Sequence, residues 1–307
     1  MEIINLPSPA YPFPRRTPVS AALGNFDGVH LAHQALLKEA GAPGLVPAVF
    51  TFERPAAPYL TTREERLSLF ASFGIKIVFL ASFEGWKDLS CPSFVDFLKD
   101  ALAVRRVICG FNFRFGRGAA GDASYLSSLA EKTGISCQVL PEMTYEGETI
   151  SSSAIRGHLA AGEPARAAAL LGRPYSLTGV VAHGFSVGKS RLATPTINLP
   201  VPCDAAPLRH GVYVTHTALA GRTFSSVTNI GKNPTYGRDR VTCETYLLDA
   251  EGDFYGLKAT VFFDEFLRPE MKFPSEAALK AAISRDIAAA AAYPRKGEEP
   301  RAAERND

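Results

Sequence analysis

Two rhythms of hydrophobic and polar residues alternate along the first half of the chain. Residues 19–23, Val46–Phe52 and residues 75–80 and 104–109 are short apolar, β-prone runs of the kind that form buried strands. Between them, residues 62–73 and 92–101 space their apolar positions three and four apart, the period of an amphipathic helix. A helix-like and a strand-like segment follow through Leu140. The βαβα order predicts a parallel, doubly wound sheet. Residues 110–122, rich in glycine, phenylalanine and arginine, interrupt the alternation, and a long loop inside such a domain is often functional.

Residues 151–171 read as one or two helices divided at Gly162-Glu163-Pro164, and the pattern changes after them. Residues 176–181, 211–216, 224–230, 242–249 and 257–263 are β-branched and aromatic runs separated by Gly, Pro and Asn. Closely spaced strands with such turn signals predict a small antiparallel barrel or sandwich. Residues 275–292 then form an alanine-rich helix with Ser275 as its N-cap. From Pro294 the chain is charged and poor in apolar residues, which predicts a frayed tail.

The chain has 307 residues, 46% hydrophobic and 21% charged, which fits two globular domains. No apolar run is long enough to span a bilayer, and residues 1–18 have no signal-peptide core, so a cytoplasmic protein without membrane partners is expected. A net charge of +2 argues against a nucleic-acid partner and makes any anion site a local one. Self-association is left open. The five cysteines are scattered without CxxC spacing and read as reduced, mostly buried thiols.

Candidate chemistry begins at Gly24-Asn25-Phe26-Asp27-Gly28-Val29-His30-Leu31-Ala32-His33, directly after the strand-like run at 19–23. His30 and His33, three apart, share one face of a helix start, where free backbone N–H groups favour anions. A bare histidine pair is more often ordinary core or surface. Gly24 and Gly28 allow a tight turn and close ligand approach, and Asp27 adds a polar group at the strand's carboxyl end. In the second half, Gly184-Phe185-Ser186-Val187-Gly188-Lys189-Ser190 has three residues between its glycines instead of the four of a P-loop, yet such a loop can still cradle phosphate. Thr196 and Asn198 in Pro195-Thr196-Ile197-Asn198 point the same way along an extended segment, and their neutral oxygens suit Mg²⁺. Glu244, at the start of a strand-like run, could accept a proton from an attacking hydroxyl.

In order and spacing these segments resemble the bifunctional bacterial riboflavin kinase/FAD synthetase family over nearly the whole chain. Gly24 to His33 is similar to the family's GxFDGxHxGH signature, with Ala32 in place of a glycine. Gly110-Phe111-Asn112-Phe113-Arg114-Phe115-Gly116 is similar to its flavin-contacting loop. Ile150-Ser151-Ser152-Ser153-Ala154-Ile155-Arg156 is similar to its ISSTxIR segment, with Ser153 keeping the hydroxyl. Leu171-Gly172-Arg173-Pro174-Tyr175 is similar to the junction phrase. Residues 183–196 resemble the kinase ATP loop, with Arg191 extra and Ala193 for a glycine. The resemblance extends to Asn229-Ile230-Gly231-Lys232-Asn233-Pro234-Thr235 and to Leu267-Arg268-Pro269-Glu270-Met271-Lys272-Phe273.

The resemblance implies a nucleotidyltransferase-like FMN adenylyltransferase domain over 1–172 and a riboflavin kinase domain over 173–307. It implies riboflavin, FMN and ATP as substrates, Mg²⁺ as metal, and FMN and FAD as products. Implied roles are catalysis for Glu244, His30 and His33, and nucleotide binding for Gly24, Phe26, Asp27, Gly28, Ser152, Ser153, Arg156, Gly188 and Lys189. Asn112 and Arg268 would contact flavin, and Thr196 and Asn198 would hold the metal. One departure stands out: the family's Phe-x-Pro-His-Pro stretch is replaced by Phe52-Glu53-Arg54-Pro55-Ala56-Ala57-Pro58, which lacks the histidine and offers Arg54 as an anion contact. That departure keeps two alternatives open, a riboflavin kinase with a degenerate first module and a non-catalytic flavin sensor.

Overall fold

A computed structural model describes residues 1–10, 17–53, 57–182, 196–232 and 241–294. By contacts, the described residues of Met1–Leu159, Arg166–Arg173 and Asp204–Pro207 form one compact unit, and those of Ala160–Ala165, Pro174–Cys203 and Leu208 onward form another.

The first unit is built on six parallel strands: β1 (Glu2–Leu6), β2 (Val19–Leu23), β3 (Val46–Phe52), β4 (Ile77–Ala81), β5 (Val104–Gly110) and β6 (Ser136–Leu140). Their spatial order is β1-β4-β3-β2-β5-β6. Alternate residues go to opposite faces. Ala21, Leu23, Phe50 and Phe79 enter one buried cluster, while Ala22, Val49, Val78 and Leu80 enter another. Helices α1 (Leu31–Glu39) and α2 (Arg63–Ser72) cover the second cluster with Leu36, Leu37 and Phe70. Helices α3 (Cys91–Asp100) and α4 (Ala123–Thr133) cover the first with Phe94, Leu98 and Leu126. The sheet is therefore doubly wound, as expected.

Local chemistry sets these boundaries. Thr62 caps α2 in a reciprocal box, its hydroxyl accepting from Glu65 N at 3.2 Å while the Glu65 carboxylate accepts from Thr62 N at 2.9 Å. Asp122 caps α4, which ends at Gly134 with φ 75°. The helical segment at 151–171 resolves into α5 (Ser152–Ala161) and α6 (Pro164–Leu171). Strand β1 is an addition to the sequence reading: it sits at the sheet edge and buries only Ile4 and Leu6.

In the second unit, β7 (Tyr175–Val180), β8 (Thr196–Pro200), β9 (Gly211–Leu219), β10 (Arg222–Lys232), β11 (Val241–Leu247) and β12 (Lys258–Arg268) form an antiparallel sheet in the order β7-β12-β9-β10-β11-β8. The sheet curls until its edges meet, where Ala182 N donates to Asn198 O at 2.9 Å. Helix α7 (Glu276–Ala292), capped by Ser275, packs on the outside through Ala290 and Ile287 against Val214 and Tyr246. The interior holds hydroxyls as well as apolar groups. Thr215 bonds Ser226 and Thr228 at 2.8 Å, Thr217 bonds Ser226 at 2.9 Å, and Thr228 bonds Thr245 at 2.8 Å. All five side chains are buried and partnered.

Candidate active sites

In the first unit the chain runs outward from β2 to β3 and β4, then returns to place β5 on the other side of β2. Ligands of open α/β sheets bind at such a reversal, beyond the carboxyl ends of the strands. A cavity of about 850 Å³ lies there, walled by Gly24 and Asn25 after β2, Phe52 at the end of β3, and Asn112 and Phe113 after β5. Its other walls include His30 and His33 on α1 and Ser152 on α5.

The turn between β2 and α1 is over-determined. Gly28 has φ 78°, and a Cβ on it would lie 2.7 Å from Leu60 Cδ1. Asp27 Oδ1 accepts from the N–H groups of Leu60 and Thr61 at 2.8 and 3.4 Å, and Oδ2 accepts from Arg156 Nη1 at 2.8 Å. Ser152 donates to Asp27 O at 2.8 Å, and Gly28 N donates to Thr61 Oγ1 at 3.1 Å. Burial pushes the Asp27 carboxyl above its ordinary range, against the lowering effect of the Leu60 N–H bond and the Arg156 charge. Asp27 thus ties together the start of α1, the Leu60–Thr61 segment and α5. Ser153 accepts from Arg156 Nη2 at 3.4 Å.

His30 is the N-cap of α1; its Nδ1 accepts from His33 N at 3.4 Å, which assigns the imidazole proton to Nε2. The rings stack with centroids 3.6 Å apart. Burial, and then the Arg173 charge, lower His30 to about 4, and burial holds His33 well below its usual value. Both are neutral at pH 7, each with one N–H to donate. His33 Nδ1 is buried and has no hydrogen-bond partner among the described residues.

Phe26, expected among the nucleotide contacts, points its side chain away from the cavity. It is fully buried, packed edge-on to Phe70 and 5.1 Å from the His33 ring, because φ 53° turns its side chain into the core. From there it supports His33 from behind. Arg66, which the sequence pattern hid inside an amphipathic helix, is 1% exposed. Its guanidinium donates to Asn25 O at 2.8 Å and to the Phe52 and Glu53 carbonyls at 2.8 and 2.9 Å. It fixes the exits of β2 and β3, where the altered loop begins; Arg54 lies outside the described residues.

In the second unit the register aligns the predicted kinase residues. Asn198 on β8 stands opposite Glu244 on β11, and Glu244 stands opposite Asn229 on β10. Directly opposed residues share a face. Thr196, two before Asn198, joins them on the outer face, while Ile197, Cys243 and Thr245 point inward and are buried. Desolvation raises the Glu244 carboxyl above its ordinary value, and its exposure to solvent moderates the effect. Asn229 was not singled out for chemistry by sequence, since an asparagine on a strand carries no signal without its partners. Among the described residues no cluster of His, Cys, Asp and Glu could hold a metal unaided. Gly188 and Lys189 lie outside the described residues.

Arg268, at the end of β12, forms a two-pronged ion pair with Asp286 of α7, Nη2 to Oδ2 at 2.8 Å and Nε to both oxygens at 3.2 Å. Its guanidinium also lies over the Phe273 ring, 5.4 Å from the centroid. The five cysteines are unpaired, with Cys91, Cys109 and Cys243 buried.

The riboflavin kinase family matches residues 171–294, and the FAD synthetase family matches residues 14–154. The bifunctional riboflavin kinase/FMN adenylyltransferase of Pseudomonas fluorescens is 35% identical over 89% of this chain and 92% of its own length. The enzyme of the same name from Listeria monocytogenes is 34% identical over 86% and 89%, and that of Escherichia coli K12 is 33% identical over 86% and 89%. A solved structure described as a macrolide-efflux protein from Streptococcus pneumoniae has a TM-score of 0.84 at 24% identity, covering 96% of this chain and 100% of that one, and shares the fold. With both family domains present and relatives of this identity matched over most of their length, the chain belongs to the bifunctional riboflavin kinase/FMN adenylyltransferase family.

Proposed function

We propose that residues 1–172 transfer AMP from ATP to FMN, giving FAD and pyrophosphate, and that residues 173–307 phosphorylate riboflavin with ATP. What carries this reading is that the predicted residues sort into two sets. Gly24, Asp27, Gly28, His30, His33, Ser152, Ser153 and Arg156 gather around one turn and its cavity, while Thr196, Asn198 and Glu244 share one sheet face. The narrower readings, a kinase alone or a non-catalytic flavin binder, are not favoured, because both families match.

In the first unit, an FMN phosphate oxygen attacks the α-phosphorus of ATP in line, the bond to the α,β-bridging oxygen breaks, and pyrophosphate leaves without a covalent enzyme intermediate. The His30 Nε2–H and the open N–H groups at the start of α1 face charge that grows on the α-phosphate. The His33 ring, stacked on His30 and lining the same cavity, adds a second imidazole N–H. Ser152, Ser153 and Arg156 hold the departing pyrophosphate, and Asn112 holds the flavin.

In the second unit, Glu244 takes the proton of the terminal ribityl hydroxyl as its oxygen bonds the γ-phosphorus and ADP leaves. A carboxyl with a raised pKa is the better base for that proton. The hydroxyl of Thr196 and the amide oxygen of Asn198 fit Mg²⁺, a hard cation that keeps most of its waters. Bound there, Mg²⁺ would neutralise charge on the nucleotide phosphates. Gly188 and Lys189 would complete that neutralisation, and Arg268 would contact the flavin. The unpaired cysteines fit the reducing cytoplasm, and no helix among the described residues is long and apolar enough to cross a membrane.

Two assays on one preparation test the reading: FMN with ATP and Mg²⁺ for FAD, and riboflavin with ATP and Mg²⁺ for FMN, both by chromatography. Glu244→Gln should lose FMN formation by about 10²-fold or more while keeping FAD formation, and His30→Ala should do the reverse. Absence of FAD from the parent protein, or loss of both activities in either variant, overturns the assignment.

A further inference from the structure

Val29 is a β-branched residue at φ 42°, between Gly28 and the N-cap His30. Such a conformation is strained for a β-branched residue and persists only where the surroundings enforce it. The enforcement comes from two side chains. Arg173 donates through Nη2 to Gly28 O at 2.7 Å and through Nη1 to Val29 O at 3.2 Å. Gln34, one turn into α1, donates to Val29 O at 3.0 Å. Both also reach Leu171 O, at 3.5 and 2.8 Å, so the junction segment and the turn are held by shared donors. Gly172 permits this approach: it has φ 73°, and a Cβ there would lie 2.6 Å from Leu31 Cδ2.

We propose that Arg173, assisted by Gln34, is a positioning residue for adenylyl transfer, fixing the Gly28–Val29–His30 backbone so that His30 and the first N–H groups of α1 point at the transferred phosphate. The inference rests on the adenylyltransferase reading of the first unit. In a trans peptide C=O and N–H point in opposite directions, so a pinned Val29 carbonyl also fixes the His30 N–H. The first-turn N–H groups of a helix have no intrahelical acceptor and are available to an anion. Arg173 does not need to touch substrate: it acts through the two carbonyls.

Its charge has a second consequence that a purely structural brace would lack. The titratable and charged groups around His30 are Asp27 in the turn, His33 on α1, Arg66 on α2, Arg156 on α5 and Arg173 at the junction. Arg173 disfavours the imidazolium, and burial acts in the same direction. Protonating His30 Nδ1 would displace the His33 N–H and open the helix cap. Neutralising position 173 therefore moves the acid limb of FAD formation to higher pH.

The test uses full-length Arg173→Met and Arg173→Lys, with FAD formation from FMN and ATP measured against FMN formation from riboflavin and ATP in the same preparation. Arg173→Met should lower kcat for FAD formation at least tenfold, change KM for ATP less than threefold, and move the acid limb upward. FMN formation should stay within twofold. Arg173→Lys, which keeps the charge but only one point of attachment, should show an intermediate kcat and an unmoved limb. FAD formation within twofold of the parent in Arg173→Met, or equal loss of both activities in Arg173→Lys, overturns the proposal. A parent protein that makes no FAD would instead remove the underlying reading.

Discussion

Arg156→Met removes the guanidinium bonded to Asp27 Oδ2 and leaves a carboxylate whose side chain is 8% exposed to the N–H groups of Leu60 and Thr61. Stripping one partner from a fully buried ion pair costs about 3–5 kcal/mol. Arg156 is 25% exposed, so water recovers part of this, and about 2–3 kcal/mol is expected for the first unit. For a domain of roughly 150–250 residues that lowers the thermal midpoint by about 5–10 °C. Asp27→Asn should cost less, because it discards the charge whose burial raises the pKa while keeping an oxygen for Leu60 N. The deficit also has a sign in pH. Arg156 lowers the Asp27 pKa, so its removal raises a value already above that of the unfolded chain. The folded variant then binds the proton more tightly than the unfolded one, and its stability deficit is fullest above the raised folded-state value and shrinks as pH falls through it toward the ordinary carboxylate value of 3.8. The chain's single tryptophan, Trp86, is 5% exposed in the first-unit core, so urea unfolding followed by its fluorescence reports this unit. Arg156→Met as stable as Asp27→Asn at pH 7, a deficit that does not shrink as pH falls to 4, or no rescue in the double variant would refute the reasoning.

Three further outcomes are expected. Gly28→Ala places a Cβ 2.7 Å from Leu60 Cδ1 at φ 78°, and FAD formation should fall at least tenfold while FMN formation persists; equal retention of both, measured by chromatography, counts against the turn geometry. Asn198→Ala should raise the Mg²⁺ concentration giving half-maximal FMN formation several-fold without altering the Mg²⁺ dependence of FAD formation, and an unchanged kinase titration would remove Asn198 from the metal site. Arg268→Met leaves Asp286, 10% exposed at its side chain, without its partner, and should destabilise the second unit by about 2–3 kcal/mol in a circular-dichroism melt. Unchanged melting would mean that solvent already screens this pair.

Much of the fold is legible along the chain because its strands and helices obey their own periods. Val46–Phe52 is a strand with the expected bounds, and residues 62–73 contain α2 with Thr62 as its cap. Two strands are harder to read, and each is at an edge. Glu2–Leu6 buries only two side chains, and Thr196–Pro200 is five residues long and ends in a proline, which cannot donate to a ladder. The histidine pair is legible because its meaning lies in a spacing of three. Arg66 and Arg173 are not, since each acts by donating to backbone carbonyls, which carry no side-chain signature. Arg66 meets Asn25 O across 41 residues and Arg173 meets Gly28 O across 145. The burial of Phe26 is hidden for a related reason: its neighbours suggest a ligand loop, and only the left-handed backbone reveals that its side chain turns inward.

The buried hydroxyls of the second unit bear on its chemistry from the opposite side of the sheet. Thr215, Thr217, Ser226, Thr228 and Thr245 satisfy one another only when β9, β10 and β11 are aligned as they are. Sliding β11 by one residue along β10 would turn Thr245 outward and leave Thr228 with Thr215 alone, losing one buried hydrogen bond worth about 0.5–1.5 kcal/mol net. A purely aliphatic interior would resist such a slip much less selectively. The hydroxyls therefore proofread strand alignment, and the opposition of Glu244 to Asn198 and Asn229 across the outer face inherits its accuracy from side chains that no substrate meets.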